Sequence, residues 1–315
     1  MSTGMRPENQ AYLADTEIKI NCGEYIMVCI GKKGMMIWIA FIAVVLVSGC
    51  MAHDDVSSIP DDDDKKIDVV VSILPLADFV EKIGADKVEV TVMVPPLASP
   101  ETYEPTPSQL KTLSLARMHV MVGSGIPFEE SMDKAGRDKP NIVVVNCSNG
   151  ITIVENDPHV WMSLRNAGII AKNIYDGLAS ADPVNKEYYY DNYNKYLIEI
   201  DMLDMQIQNM FNGADKRTFM ILHPSFGYFA RDYGLVQVAI EDEGKEPSSS
   251  DVLRLIEYAK ENGIKTIFVQ PGVNFKNAQA IASEINGTIA LADPLAEDYL
   301  LNMRNVSKSL AESMR

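Results

Sequence analysis

From residue 67 onward, short apolar runs alternate with stretches in which apolar residues recur every three or four positions. The runs at 68–74, 88–94, 119–122 and 142–145 have strand length, whereas 77–83 and 107–115 carry the helical period. A further strand candidate lies near 151–154, and a helix is expected over 166–178. The stretch 185–211 has no internal Gly or Pro, with Tyr, Leu and Ile at i, i+3 and i+4 spacings. As one helix it would be roughly 40 Å long, enough to run from one lobe to another. The alternation then resumes, with strands at 218–222, 236–240, 266–269 and 288–291 and helices at 226–232, 249–261, 274–285 and 297–314. Ser248, Ser249 and Ser250 offer N-caps for the helix after Pro247, and Gly263 ends it. The pattern predicts an α/β protein of two lobes, each a mainly parallel sheet flanked by helices, joined by one long rigid helix. No motif repeat links the two halves.

The front of the chain follows a different pattern. An apolar run over 35–49 is preceded by Lys32 and Lys33 and closed by Val47, Ser48, Gly49 and Cys50. It is short for a membrane span and matches an export signal, and the small residues before Cys50 resemble a lipobox at which that cysteine is lipidated. Met27 offers an alternative start, because Glu8, Asp15, Glu17 and Glu24 are not what an export signal needs. The chain thus divides into an export signal (1–50), an acidic tether (51–66), an N-terminal lobe (67–184), the connecting helix (185–212) and a C-terminal lobe (213–315).

Charge and cysteine usage narrow the function. With 44 acidic against 28 basic residues the chain carries −16, which argues against nucleic acid as a partner and suits an extracytoplasmic protein that attracts cations. Removing residues 1–49 takes away four basic and four acidic residues and leaves that charge unchanged. Of the four cysteines, Cys22, Cys29 and Cys50 fall in the front segment. Cys147 is left alone, so the folded part has neither a disulfide framework nor a cysteine zinc site, and Cys147 reads as a small buried hydrophobe.

In parallel α/β sheets, ligands gather off the carboxyl ends of the strands. Glu101 follows the strand at 88–94, His159 the candidate at 151–154, His223 the strand at 218–222 and Asp293 the strand at 288–291. Two imidazoles and two carboxylates are a donor set for a borderline divalent metal, shared between the lobes. Pro158, Pro224 and Pro294 stiffen the chain beside three of the four. Each residue also has a plainer reading: His159 packs on Trp161, His223 caps the next helix, Glu101 is a surface acid and Asp293 a turn-former. His119, inside a strand, reads as structural.

The stretches Thr102-Tyr103-Glu104-Pro105-Thr106-Pro107-Ser108, Asp157-Pro158-His159-Val160-Trp161-Met162-Ser163, His223-Pro224-Ser225-Phe226-Gly227-Tyr228-Phe229, Glu246-Pro247-Ser248 and Asp293-Pro294-Leu295 occur in that order. Together they resemble the zinc and manganese solute-binding lipoproteins of ABC transporters, the cluster 9 or A-I family, over nearly the whole chain from residue 67. The resemblance implies His159, His223 and Asp293 as metal ligands. At Glu101 the family usually has histidine, and the harder carboxylate shifts preference from zinc toward manganese or iron. The His-rich acidic loop of many zinc-specific members is also missing, since 126–140 contains no histidine.

What the resemblance implies is a receptor that catalyses nothing and has no organic cofactor. It takes one Zn2+ or Mn2+, with Fe2+ also admitted, outside the membrane and delivers it to a permease with its ATPase. It would act as a monomer, held by a lipid anchor on the outer face of the cell membrane. A surface adhesin is the first alternative. A metal hydrolase is the second, with Glu104 or Glu241 as base, though no His-Glu-x-x-His pattern or nucleophile elbow is present.

Overall fold

The computed structural model describes residues 66–137, 142–241 and 245–315. The expected export signal, Cys50 and all but the last residue of the tether lie outside the described residues. Strands β1 (Ile67–Val71), β2 (Val88–Val92), β3 (Met118–Met121) and β4 (Val143–Asn146) form one sheet in the order β2-β1-β3-β4. Strands β5 (Thr218–Ile221), β6 (Val236–Ala239), β7 (Thr266–Val269) and β8 (Thr288–Leu291) form a second in the order β6-β5-β7-β8. Every pairing is parallel, and the second sheet repeats the strand order of the first.

Burial follows strand position. The central strands β3, β5 and β7 and the Val69–Val71 part of β1 are almost continuously buried, whereas the edge strands alternate or lie partly open. Central strands covered on both faces need mainly apolar runs, which is how they read in the sequence apart from His119 in β3 and Asp68 at the start of β1. His119 is fully buried in β3 between Val70 and Val144, as a structural residue. Cys147 is also fully buried, and burial pushes its thiol well up.

The helices are α1 (Leu74–Gly84), α2 (Pro107–Leu115), α3 (Pro127–Arg137), α4 (Leu164–Ala181), α5 (Lys186–Phe211), α6 (Gly227–Tyr233), α7 (Ser249–Glu261), α8 (Lys276–Glu284) and α9 (Tyr299–Ser313). Helix α7 begins at a capping box between Ser248 and Asp251 and ends just before Gly263 at φ 61°. Two elements depart from the sequence pattern. Helix α3 was not expected, because Phe128 and Met132 are its only large apolar residues. The segment 151–154 is not a strand: the Val154 N–H donates to the Tyr228 hydroxyl at 3.0 Å instead of to a neighbouring strand.

The 26 residues of α5 pack against α1, α4, α6 and α9, tying the two sheets together. One apolar core runs through this junction: Phe79 of α1 meets Tyr196 of α5 edge-on at 5.3 Å and Tyr299 of α9 at 4.8 Å. A second core cluster lies within the second lobe, around Met220, Ile256 and Ile267.

Asp78 sits in the middle of the junction, only 8% exposed, accepting from the Tyr196 hydroxyl at 3.0 Å. Burial pushes its carboxyl up to about 6, although the hydrogen bond from Tyr196 opposes the shift. Holding it charged costs the native state on the order of 3 kcal/mol. Its folded pKa lies above the unfolded one, so its contribution is greatest below about pH 4 and is lost as pH rises through about 6. Urea unfolding at pH 4.5 and 7 should therefore show Asp78→Asn gaining stability relative to the native protein at the higher pH. A difference independent of pH would contradict this account.

Candidate metal centre

The loop between β2 and α2 carries Glu101. Gln109 fastens that loop: it closes a capping box with Thr106, accepts from the Tyr103 hydroxyl at 2.7 Å and donates to Met93 O at 2.6 Å. His159 opens the short turn Val160–Met162, and His223 lies just past β5. The three side chains converge from both lobes. His159 Nε2 and His223 Nε2 are 3.4 Å apart, and Glu101 Oε1 is 3.4 Å from His223 Nε2 and 3.9 Å from His159 Nε2. Ligands about 2.0–2.1 Å from a tetrahedral ion stand about 3.3–3.4 Å from one another, so the spacing fits an ion seated between them.

Each imidazole is held at its other nitrogen. Asp157 Oδ1 lies 2.8 Å from His159 Nδ1 and also accepts the His159 main-chain N–H at 2.9 Å. Glu241 Oε2 lies 3.6 Å from His223 Nδ1. The Asp157 bond favours the His159 tautomer that leaves Nε2 free to bind and raises its basicity, while Glu241 acts on His223 as a nearby negative charge. Burial pulls the His223 imidazole down, but Glu101 and Glu241 outweigh it and push it up to about 9. The His223 hydrogen bond in turn lowers the Glu101 carboxyl, against its burial.

The Asp157 segment is tightly built. Glu155 and Asn156 both have positive φ, at 53° and 59°, a conformation that Asn tolerates and that is costly for Glu155. Tyr228 of α6 holds the segment from the other lobe, accepting from Val154 N and donating to Asp157 O at 3.2 Å. Gly227, the first residue of α6, lets the two approach: a Cβ there would stand 2.6 Å from Asp157 Oδ2. Trp161, tilted against His159 at 5.2 Å, donates from Nε1 to Pro294 O at 2.7 Å.

The cavity between the three donors, bounded also by Pro158, Trp161, Gln270 and Leu295, holds about 20 Å³. That is room for an ion or a water, not for an organic ligand, which needs some hundreds of Å³. Asp293 stands outside the cluster of Glu101, His159 and His223, whose donor atoms lie within 4.8 Å of one another. It lines an adjoining crevice with Leu97, Gln270 and Glu297, and its Oδ1 accepts from Leu295 N at 2.8 Å. Burial raises its carboxyl, against that hydrogen bond.

Sequence reasoning missed Asp157 as a partner of His159 and took Glu241 only as a candidate base. Glu241 follows β6 with one residue between, so the strand-exit rule that found His223 would have found it too.

A family model described as the zinc-uptake complex component A, periplasmic, matches residues 69–313. The high-affinity zinc uptake system protein ZnuA of Bacillus subtilis is 29% identical over 285 residues, covering 84% of this chain and 89% of that protein. The manganese ABC transporter substrate-binding lipoprotein PsaA of Streptococcus pneumoniae is 26% identical over 277 residues, covering 81% and 87%. Among solved structures, a ZnuA crystal structure superposes with a TM-score of 0.76 at 38% identity, over 80% of this chain and all of that one. The laminin-binding protein Lmb of Streptococcus agalactiae, described as bifunctional with adhesin and metal transporting activity, gives 0.74 at 26% identity, over 79% of this chain and 100% of that one.

Gly227→Ala should push Asp157 off His159. Competition titration with a chromophoric chelator should show Zn2+ bound about 10- to 100-fold more weakly, the usual loss when such an outer partner is disturbed. Unchanged affinity would mean that the Asp157 contact does not orient His159.

Proposed function

The chain belongs to the periplasmic zinc-uptake component A family, whose members are solute-binding components of metal transporters and not enzymes, and from that premise we propose how this chain holds its cargo. Glu101, His159 and His223 bind one divalent ion through Oε1 and the two Nε2 atoms. The observation that carries this reading is the triangle of donors at 3.4–3.9 Å, with both Nδ1 atoms backed by carboxylates. Asp293 supplies a fourth ligand once its carboxylate turns from Leu295 N, since a cation next door would relieve a buried carboxylate. Two carboxylates and two neutral imidazoles then cancel the ion's charge.

Capture exchanges the ion's water for these donors and expels a proton from His223, because only the neutral imidazole binds. The ion then passes to a permease powered by its ATPase, and the protein works as a monomer. Zn2+ and Mn2+ are both admitted, and Glu101 in place of histidine favours the harder ions. Lipidation at Cys50 would tether the protein to the outer face of the membrane. Lipoprotein relatives in Lactococcus lactis and Streptococcus mitis support that anchor. The adhesin reading draws its support from the streptococcal laminin-binding relatives. It predicts partner binding that survives loss of His159 and His223.

His223→Ala should weaken Zn2+ binding by at least about two orders of magnitude in calorimetry, while far-ultraviolet circular dichroism stays unchanged. Equal affinity would remove His223 from the site. With His223 pushed up to about 9, the native affinity should rise roughly tenfold per pH unit between pH 7 and 8, releasing about one proton per ion. An affinity flat with pH would contradict a protonated His223 in the free protein. Glu101→His should raise the ratio of Zn2+ to Mn2+ affinity. A ratio that does not move would mean that Glu101 is not a ligand.

A further inference from the structure

The loop joining β3 to α3 is held by a carboxylate of α3 that metal capture does not use. Glu129, in the first turn of α3, is 4% exposed. Its Oε1 accepts from Val122 N at 2.7 Å and its Oε2 from Gly123 N at 2.9 Å. Val122 O is also engaged, by Ser148 N at 2.9 Å and Ser148 Oγ at 2.6 Å. The start of the loop is therefore fixed at both its main-chain groups. Ser124 follows, between Gly123 at φ 73° and Gly125 at φ 100°, backbone conformations that a side chain would resist. Its hydroxyl, on a residue 8% exposed, donates to Pro158 O at 2.6 Å. Pro158 O also receives Val160 N at 2.9 Å, so this one carbonyl anchors the turn that carries His159.

We propose that Glu129 is a positioning residue for the metal site, acting through the main chain of Val122 and Gly123, then the Ser124 hydroxyl, on the Pro158 carbonyl and hence on the direction of His159. Asp157 fixes the imidazole about its own ring, and the relay from Glu129 fixes the backbone from which that ring projects. A buried carboxylate is costly unless its oxygens are satisfied. Here both oxygens are satisfied by the loop, so ordering that loop compensates for burying the acid. Burial raises the Glu129 carboxyl, and its hydrogen bonds from Ser72, Gly123 and Val122 oppose the rise.

The inference rests on His159 being a ligand, and the test separates the two claims. Zn2+ affinity is measured by chelator competition on the full chain for the native protein, Ser124→Ala, Glu129→Gln, the double variant and His159→Ala, with the melting temperature of each metal-free protein. Ser124→Ala and Glu129→Gln should each weaken Zn2+ binding by about three- to tenfold, the scale of one hydrogen bond. In the Ser124→Ala background, Glu129→Gln should change affinity by less than about twofold, even if it lowers the melting temperature further. A merely structural glutamate would give no such convergence on the serine. Additive losses, or unchanged affinity in Ser124→Ala, would overturn the relay while His159→Ala, weakened by orders of magnitude, left the site standing. Unchanged affinity in His159→Ala would overturn the site and the relay together. Should Glu129→Gln fail to fold, Glu129→Asp takes its place in the same cycle, with the same outcomes.

Discussion

Two imidazoles must face one another with their Nε2 atoms bare, and the site depends on that constraint. A free histidine gains by turning either nitrogen toward a hydrogen-bond partner. Here Asp157 and Glu241 occupy the Nδ1 sides, at 2.8 and 3.6 Å, and leave Nε2 for the space shared with Glu101. Without an ion that space is electrostatically tense, and a proton on His223, held by Glu101 and Glu241, relieves it. On the reading proposed for the site, a divalent cation would do the same with more charge, and proton and metal would compete for one position.

The framework that holds this constraint is continuous across both lobes. Ligand sites between lobes commonly invite hinge motion, yet Phe79, Tyr196 and Tyr299 form one core with α5 through the junction. Tyr299 donates to Trp161 O at 2.7 Å, Trp161 donates to Pro294 O, and Tyr228 spans from α6 to Asp157. Opening the lobes widely would break these bonds and expose that core together. Small shifts of the loops carrying Glu101 and Asp293 fit such a frame better than a wide swing.

Much of this was legible in the sequence because it is local. Central strands buried on both faces read as apolar runs, and α5 and its lack of Gly or Pro stood out by length. His223 and Glu101 were marked by strand exits, His159 by its place between Pro158 and Trp161, since the strand expected before it at 151–154 does not form; the structure brings those three together. What was hidden depends on partners distant in the chain. The run from Val71 through Leu76 is buried, except at half-buried Leu74, across a strand and a helix, so its period did not show where β1 stops and α1 begins. The segment 151–154 looked like a strand because its bonding to Tyr228 cannot be read locally. The matching order of the two sheets has no motif repeat behind it, since topology is carried by which strands pair. Asp293 was grouped with the other three by the same strand-exit rule, but its carboxylate is turned to Leu295 N in the adjoining crevice.

The central claim is that the cargo ion is held by two imidazoles together with carboxylate oxygen. X-ray absorption at the zinc edge of the Zn2+-loaded protein tests it most directly. The account predicts the multiple-scattering pattern of two imidazole ligands, with oxygen or nitrogen neighbours at about 2.0–2.2 Å and no sulfur. A spectrum with one imidazole or none, or with a sulfur shell near 2.3 Å, would place the ion elsewhere and contradict the account.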